Sequence, residues 1–298
     1  MKNKIRIGFV ILHYQALEDT SKAIESLCSN LDTDEFHIVV VDNASPNETG
    51  KILKEKYQNN SKITVICNEK NTGFACGNNL GYAYLKKNYQ VDYIVLMNND
   101  IVFTEHSFLK KIEKEYTASE FSILGPMVMT ADGKYTSSPI RTVPIKRAEI
   151  EFAIKEYKKR LLLNRLYLWP FYCLVKTFRE KKKSTKIVCT YDKLCRQENV
   201  QIHGCFMVFS KKYIEQEDGL CNRTFLYCEE DILYLTALKN DYKIVYQPNI
   251  VIYHKEDAST NYTYQKSRDK NIFYYTEALK SEQILLEIYD RFSGKENI

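Results

Sequence analysis

Apolar residues fall in short continuous runs along the chain, and amphipathic stretches separate them. IRIGFVILHY (Ile5–Tyr14), FHIVVVDNAS (Phe36–Ser45), KITVICNEKNTG (Lys62–Gly73) and VDYIVLMNND (Val91–Asp100) carry Val, Ile and aromatic residues without a polar alternation. Each reads as a strand buried on both faces. Between them lie helical patterns: Asp19–Asn30, with Ile24, Leu27 and Cys28 on one face, a helix around Lys51–Tyr57, and a stretch through Leu80, Tyr84 and Leu85. Buried runs alternating with helices predict an α/β fold, a mostly parallel sheet flanked by helices. The second half is less regular. Ser122–Met129, Gln201–Ser210 and Tyr242–His254 read as strands, Glu229–Asn240 as a helix, and the chain from about Gln265 as a terminal helix.

Every run of the first half ends on polar residues: His13-Tyr14, Asp42-Asn43, Asn68 and Asn98-Asn99-Asp100. In open parallel sheets, ligands bind beyond the carboxyl ends of the strands. Strands also end on Asn and Asp for reasons of turn geometry alone. The convergence of several such tips favours a polar ligand.

At 298 residues, 44% hydrophobic and 27% charged, the chain is a folded protein with room for one large domain and an appended element. The apolar run at the amino end is too short for a membrane span and lacks a small-residue cleavage site, so a cytoplasmic protein is expected. The nine cysteines include no C-x-x-C pair. Cys28, Cys67, Cys173 and Cys205 sit in apolar runs, where a thiol reads as a small hydrophobe rather than a zinc ligand. Charge changes the picture in one place. Lys155–Lys186 holds eleven Lys or Arg against Glu156 and Glu180, a local +9 in a chain of net +5. That segment interleaves its cations with Leu, Trp169, Phe171, Tyr172 and Phe178, and Pro170 is expected to split it into two helices. Two readings stand: a surface for anionic lipid of an inner leaflet, or an amphipathic lid packed on the domain. No nucleic-acid module accompanies the charge, so no nucleic-acid partner is expected.

Neither G-x-G-x-x-G nor G-x-x-x-x-G-K-[ST] follows the first strand, which removes the common dinucleotide and P-loop readings. An acidic strand tip that holds a divalent cation together with substrate phosphates remains. At this point the ordered series VVVDNAS, NEKNTGFACGNN, LMNND, FLYCEEDILYL and IYH resembles the motifs of family 2 glycosyltransferases, over Ile5 to about Ser259. The similarity is to the branch of bacterial rhamnosyl- and surface-polysaccharide transferases.

The resemblance implies a GT-A fold, a UDP-, dTDP- or GDP-linked sugar donor, inversion at the anomeric carbon, and an acceptor that is a glycan or a polyprenyl-linked saccharide. It implies Mn2+ or Mg2+ at Asp100, with Asn98 in place of the first acid of the D-x-D motif, and with His254 beside it. Asp42 matches the family residue that contacts the nucleotide, although an Asx-turn is its alternative. Tyr14, Asn71, Gly73, Phe74, Gly77, Asn78 and Asn99 fall beside the donor, with Gly73 and Gly77 expected to let backbone approach a ligand. His203 and Gly204 fall on the acceptor side. Inversion requires a base to take the acceptor proton. The resemblance favours Glu230, with Asp231 and Glu229 as alternatives, while Ile232 replaces the usual following acid. Acids also suit the first turn of a helix for its dipole. The expected divisions are 1–130 for the nucleotide-sugar half, 131–200 for the basic aromatic insertion, 201–260 for the acceptor-side half and 261–298 for the terminal helix. The competing functions are a catalytically inactive scaffold of the same fold and a nucleotidyltransferase. Against the latter, HYQALEDT (His13–Thr20) has neither Gly nor a basic residue.

Overall fold

The computed structural model describes residues 3–4, 6–130, 133, 136–172, 193–255 and 267–294. The strands are β1 (Asn3–Lys4), β2 (Ile7–His13), β3 (Phe36–Asp42), β4 (Ile63–Cys67), β5 (Tyr89–Gln90), β6 (Tyr93–Asn98), β7 (Ile101–Val102), β8 (Ile123–Thr130), β9 (Gln197–Glu198), β10 (Phe206–Ser210) and β11 (Ile244–His254). The helices are α1 (Leu17–Asn30), α2 (Thr49–Tyr57), α3 (Phe74–Asn88), α4 (Phe108–Ser119), α5 (Arg147–Arg165), α6 (Lys211–Gln216), α7 (Glu229–Lys239) and α8 (Ser267–Ser293).

The large sheet runs β4-β3-β2-β6-β10-β8-β11-β7, with β9 paired to β11. Its first half is parallel: Ile7 stands opposite both Phe36 and Tyr93. At β6 the direction changes, because β10 runs antiparallel to β6 and β8, with Phe206 opposite Met97. β11 then lies parallel to β8, and β7 antiparallel to β11. This is the mostly parallel, helix-flanked sheet expected, with the antiparallel β10 inserted beside β6.

Both faces of the sheet are covered, which explains why its strands lack alternation. Phe9 and Ile11 of β2 point into one apolar layer with α1 and α4, and Val10 points into the other with α3 and α7. Phe9, Phe103, Phe108 and Phe206 form edge-to-face and tilted ring contacts in the first layer. Each buried ring contributes about 1.5–3 kcal/mol. The expected helix faces hold for Ile24 and Leu27, which are buried, while Cys28 is exposed. Cys67 is exposed too, at the end of an edge strand, and Cys205 alone of the expected set is buried among the described residues.

The basic segment divides differently from expectation. α5 ends at Arg165, before Pro170, and Pro170 lies in a helical turn at 169–172. There a missing N–H costs least, at the start of a helix. α5 packs along α8 through Tyr157 with Tyr274 and Tyr275, and through Arg147 with Asp290. The rest of that segment, including Cys173 and Phe178, lies outside the described residues.

Candidate active site

The polar strand tips meet at one end of the sheet. His13 is fully buried, its Nδ1 2.6 Å from Thr20 Oγ1 and its Nε2 2.8 Å from Thr49 Oγ1. Burial lowers its pKa to about 4 against the pull of Asp42, so it is a neutral tie between the starts of α1 and α2. Tyr14 follows it, half-buried. Asp42 ends β3, buried, and accepts from the hydroxyl of Ser45 at 2.5 Å and from its N–H at 3.2 Å. The turn geometry weighed as the alternative for Asp42 is therefore present. It leaves Oδ2 less engaged, 3.4 Å from the same N–H.

Asn43 organises the adjoining loop. Its Nδ2 donates to Asn71 Oδ1 at 2.9 Å and to the Gly73 carbonyl at 3.0 Å, while its Oδ1 accepts from Thr72 N at 3.0 Å and Asn68 Nδ2 at 3.2 Å. Gly73 adopts φ +84°, and a Cβ there would lie 2.1 Å from the Phe225 carbonyl oxygen, which also accepts from Phe74 N–H at 2.7 Å. Gly77 is closest to Leu12, and Asn78, buried, donates back to the Phe74 carbonyl at 3.0 Å. A Cβ on either glycine would meet the chain itself, Phe225 at one and Leu12 at the other. Phe74 packs on the core.

Two strands away, β6 delivers Asn98, Asn99 and Asp100. Asn98 donates its N–H to the Cys205 carbonyl at 2.8 Å, and Asn99 donates its side-chain amide to Thr20 at 3.0 Å. Two strand spacings put the Asp42 and Asn98 tips about 10 Å apart. Asp100 is 8% exposed, and its Oδ1 lies 3.1 Å from Nε2 of His254, itself 8% exposed at the end of β11. The pair is close without hydrogen-bond alignment: among the described residues, Asp100 Oδ1 has no donor and His254 Nδ1 has no partner. A buried carboxylate oxygen without a donor beside an imidazole fits a divalent cation that prefers oxygen and accepts nitrogen.

The His254 ring stands 5.6 Å, centroid to centroid, from that of His203. Gly204 follows, and its N–H donates to Glu230 Oε1 at 3.1 Å. Glu229, Glu230 and Asp231 form the first turn of α7, set by two successive left-handed residues, Tyr227 (φ 74°) and Cys228 (φ 65°). Burial pushes all three acids up. Glu229, which accepts from Thr224 Oγ1 at 3.0 Å, reaches about 7, with the charge of Glu230 adding to the effect. Glu230 is raised by burial against two backbone donors, and Asp231 by burial and by Glu230 against a 3.2 Å bond from Gln201. A fourth acid enters from α8: Glu282 is raised to about 7 by burial and by Asp231. Sequence pattern gave no signal for it, because its neighbour is 51 positions away (282 − 231) on another helix.

The profile described as Glycosyl transferase family 2 matches residues 9–214. The chain belongs to glycosyltransferase family 2. Solved structures agree on the GT-A fold of this glycosyltransferase. S. aureus TarS 1-349 superposes with a TM-score of 0.52 at 13% identity, covering 93% of this chain and 71% of that one. Its complex with UDP-GlcNAc gives 0.52 at 15%, covering 96% and 72%. The mannosyltransferase PcManGT from Pyrobaculum calidifontis, in complex with GDP-Man and Mn2+, gives 0.51 at 12%, covering 96% and 73%. No curated protein sequence matches the chain. Among the described residues, no helix is long and apolar enough to cross a membrane.

Proposed function

We propose that this family 2 glycosyltransferase is an inverting, metal-dependent hexosyl- or deoxyhexosyltransferase. It moves a sugar from a nucleoside-diphosphate sugar to a hydroxyl of a glycan or lipid-linked saccharide in surface-polysaccharide assembly. The observation that carries the reading is Asp100: a buried carboxylate at a parallel-strand tip, one oxygen without a donor, facing His254 at 3.1 Å. Asp100 and His254, with the Asn98 amide, would hold Mn2+ or Mg2+. Such an ion supplies neutralisation of the charge that develops on the departing diphosphate.

The chain's own groups do the rest. Asp42 and the loop locked by Asn43 and Asn71 receive the nucleoside, one tip-to-tip span of about 10 Å from the Asn98–Asp100 tip. Glu230 takes the proton of the acceptor hydroxyl on the face of the sugar opposite the diphosphate, as an oxocarbenium-like centre inverts. Its raised proton affinity, caused by burial, suits a carboxylate that must accept a proton. Glu229 holds the turn through Thr224, and Asp231 is held by Gln201, which leaves Glu230 as the acid on the His203-Gly204 side.

An anionic inner leaflet is the surface proposed for the outer face of α5 and the turn after it. Phe152 is 66% and Phe171 69% exposed there, beside Lys155, Lys158 and Lys159. Apolar residues among cations are what such an interface binds.

The test is thermal stability against UDP-, dTDP- and GDP-sugars, each with Mn2+ or with EDTA. A ligand that binds only the folded state raises Tm by mass action. A metal-dependent rise for one nucleotide, lost in Asp100→Ala, supports the transferase. No rise for any nucleotide leaves a non-catalytic relative of the family as the better reading.

A further inference from the structure

One ligand atom each from His203, Cys205 and His254 lies within 4.8 Å of the others, the single such His/Cys/Asp/Glu group among the described residues. Two of the three come from the tripeptide His203-Gly204-Cys205 that precedes β10, and the third from the end of β11. The tripeptide is fixed at several points. The Cys205 carbonyl accepts from Asn98 N–H at 2.8 Å, Gly204 N–H is held by Glu230, and Cys205 N–H donates to His203 Nδ1 at 3.1 Å. That last bond engages the Nδ1 lone pair of His203, so an ion that takes this nitrogen must replace the Cys205 N–H there.

His254 supplies the second observation. Its Nε2 faces the Asp100 carboxylate at 3.1 Å, while Nδ1 is buried with no partner among the described residues. With the Asp100 carboxylate beside Nε2, the buried Nδ1 is the nitrogen left to meet an ion. Cys205, 2% exposed, stands in reach of that ring.

We infer that His203, Cys205 and His254 form a site for a borderline-soft divalent cation, Zn2+ or Co2+, with two nitrogen donors, one sulfur donor and a fourth position open. Oxygen-seeking Mg2+ and Mn2+ belong instead to the Asp100 side, because thiolate and imidazole select the softer ions. Metal–nitrogen bonds near 2.0–2.1 Å and metal–sulfur bonds near 2.3 Å need donor atoms about 3.5 Å apart. The cluster therefore closes by roughly 1 Å on binding, and the Cys205 thiol releases its proton to solvent. His254 serves one ion at a time, so an ion here withdraws the imidazole from the Asp100 side. That competition, but not the site itself, rests on the function proposed above.

The test titrates Co2+ into the reduced, metal-free full chain and records its absorption spectrum. One equivalent should give a thiolate-to-cobalt charge-transfer band with the intense visible bands of tetrahedral Co2+. Zn2+ should abolish both, and a large excess of Mg2+ should leave them. Cys205→Ser should lose the charge-transfer band, and His203→Ala should weaken Co2+ binding by at least about tenfold. If Cys205→Ser does not fold by circular dichroism, Cys205→Ala is read in its place. Asp100→Ala should keep the band even though it loses the nucleotide response, which separates failure of this site from failure of the donor site. Absence of the band in the wild type, or its survival without Cys205, overturns the inference.

Discussion

The N–H of Gly204 donates to Oε1 of Glu230 at 3.1 Å, and a Cβ at position 204 would lie 2.5 Å from the same oxygen. The glycine therefore sets how near the carboxylate stands to the His203–His254 wall. Gly204→Ala should displace Glu230 without touching the nucleotide loop. A displacement of about 1 Å at a reacting group costs on the order of 100-fold in rate. The expected result is kcat lowered by about that factor with nucleotide affinity unchanged. A parallel loss of affinity would mean that Gly204 serves the donor.

Glu282 gives a pH signature. In the folded chain Glu229 and Glu282 hold their protons up to about pH 7, whereas the ordinary value is 4.5. Between about pH 4.5 and 7 the folded state thus binds more protons than the unfolded one, and stability falls as pH rises. The groups facing Glu282 are Asp231 and Cys228. Glu282→Gln removes its share of the loss: its Tm should match wild type below pH 4.5 and exceed it at pH 8. Melting curves across that range check the sign. An equal offset at both ends would point to packing instead of charge.

The sheet was legible because its strands are buried on both faces. Tyr93–Asn98 carries no polar residue before its tip, and Phe36–Asp42 carries only His37, itself buried. Gln201–Ser210 was overread: its first part is the turn that carries His203, Gly204 and Cys205, and only Phe206–Ser210 pairs in the sheet. Apolar content cannot tell a buried turn from a buried strand. Asn43 passed as a strand-end turn residue, although it holds the 68–73 loop, because its partners lie 25 to 30 positions away. The close approach of Gly73 to the Phe225 carbonyl is a contact between distant parts of the chain that no local pattern encodes.

Gly73 separates backbone fit from simple conformational cost. Gly73→Ala combines a left-handed φ with a clash against the Phe225 carbonyl and should destabilise by about 2–4 kcal/mol. Gly133 also has positive φ (+70°), but among the described residues nothing lies within 4 Å of an added Cβ. Gly133→Ala should cost only about 1 kcal/mol. Urea unfolding of the two variants measures the difference, and equal losses would remove the Phe225 contact from the account.

Asn43→Asp keeps the acceptor oxygen but removes the amide that donates to Asn71 and to the Gly73 carbonyl. Facing a carboxylate with those two oxygens should cost about 2–3 kcal/mol and weaken nucleotide binding together with stability. Calorimetric titration with the nucleotide found by thermal screening measures both. Unchanged binding would detach the 68–73 loop from the donor site.

Turnover of the donor sugar nucleotide by wild type, Asp100→Ala and Glu230→Gln, with the anomeric configuration of the product read by NMR, tests inverting, metal-dependent transfer. Wild type should give inverted product. Asp100→Ala should lose metal-dependent donor binding and release of the diphosphate alike. Glu230→Gln should still bind donor with metal but transfer at least about 100-fold more slowly, the usual scale for losing a general base. Retained configuration, or transfer by Glu230→Gln at the wild-type rate, would contradict it.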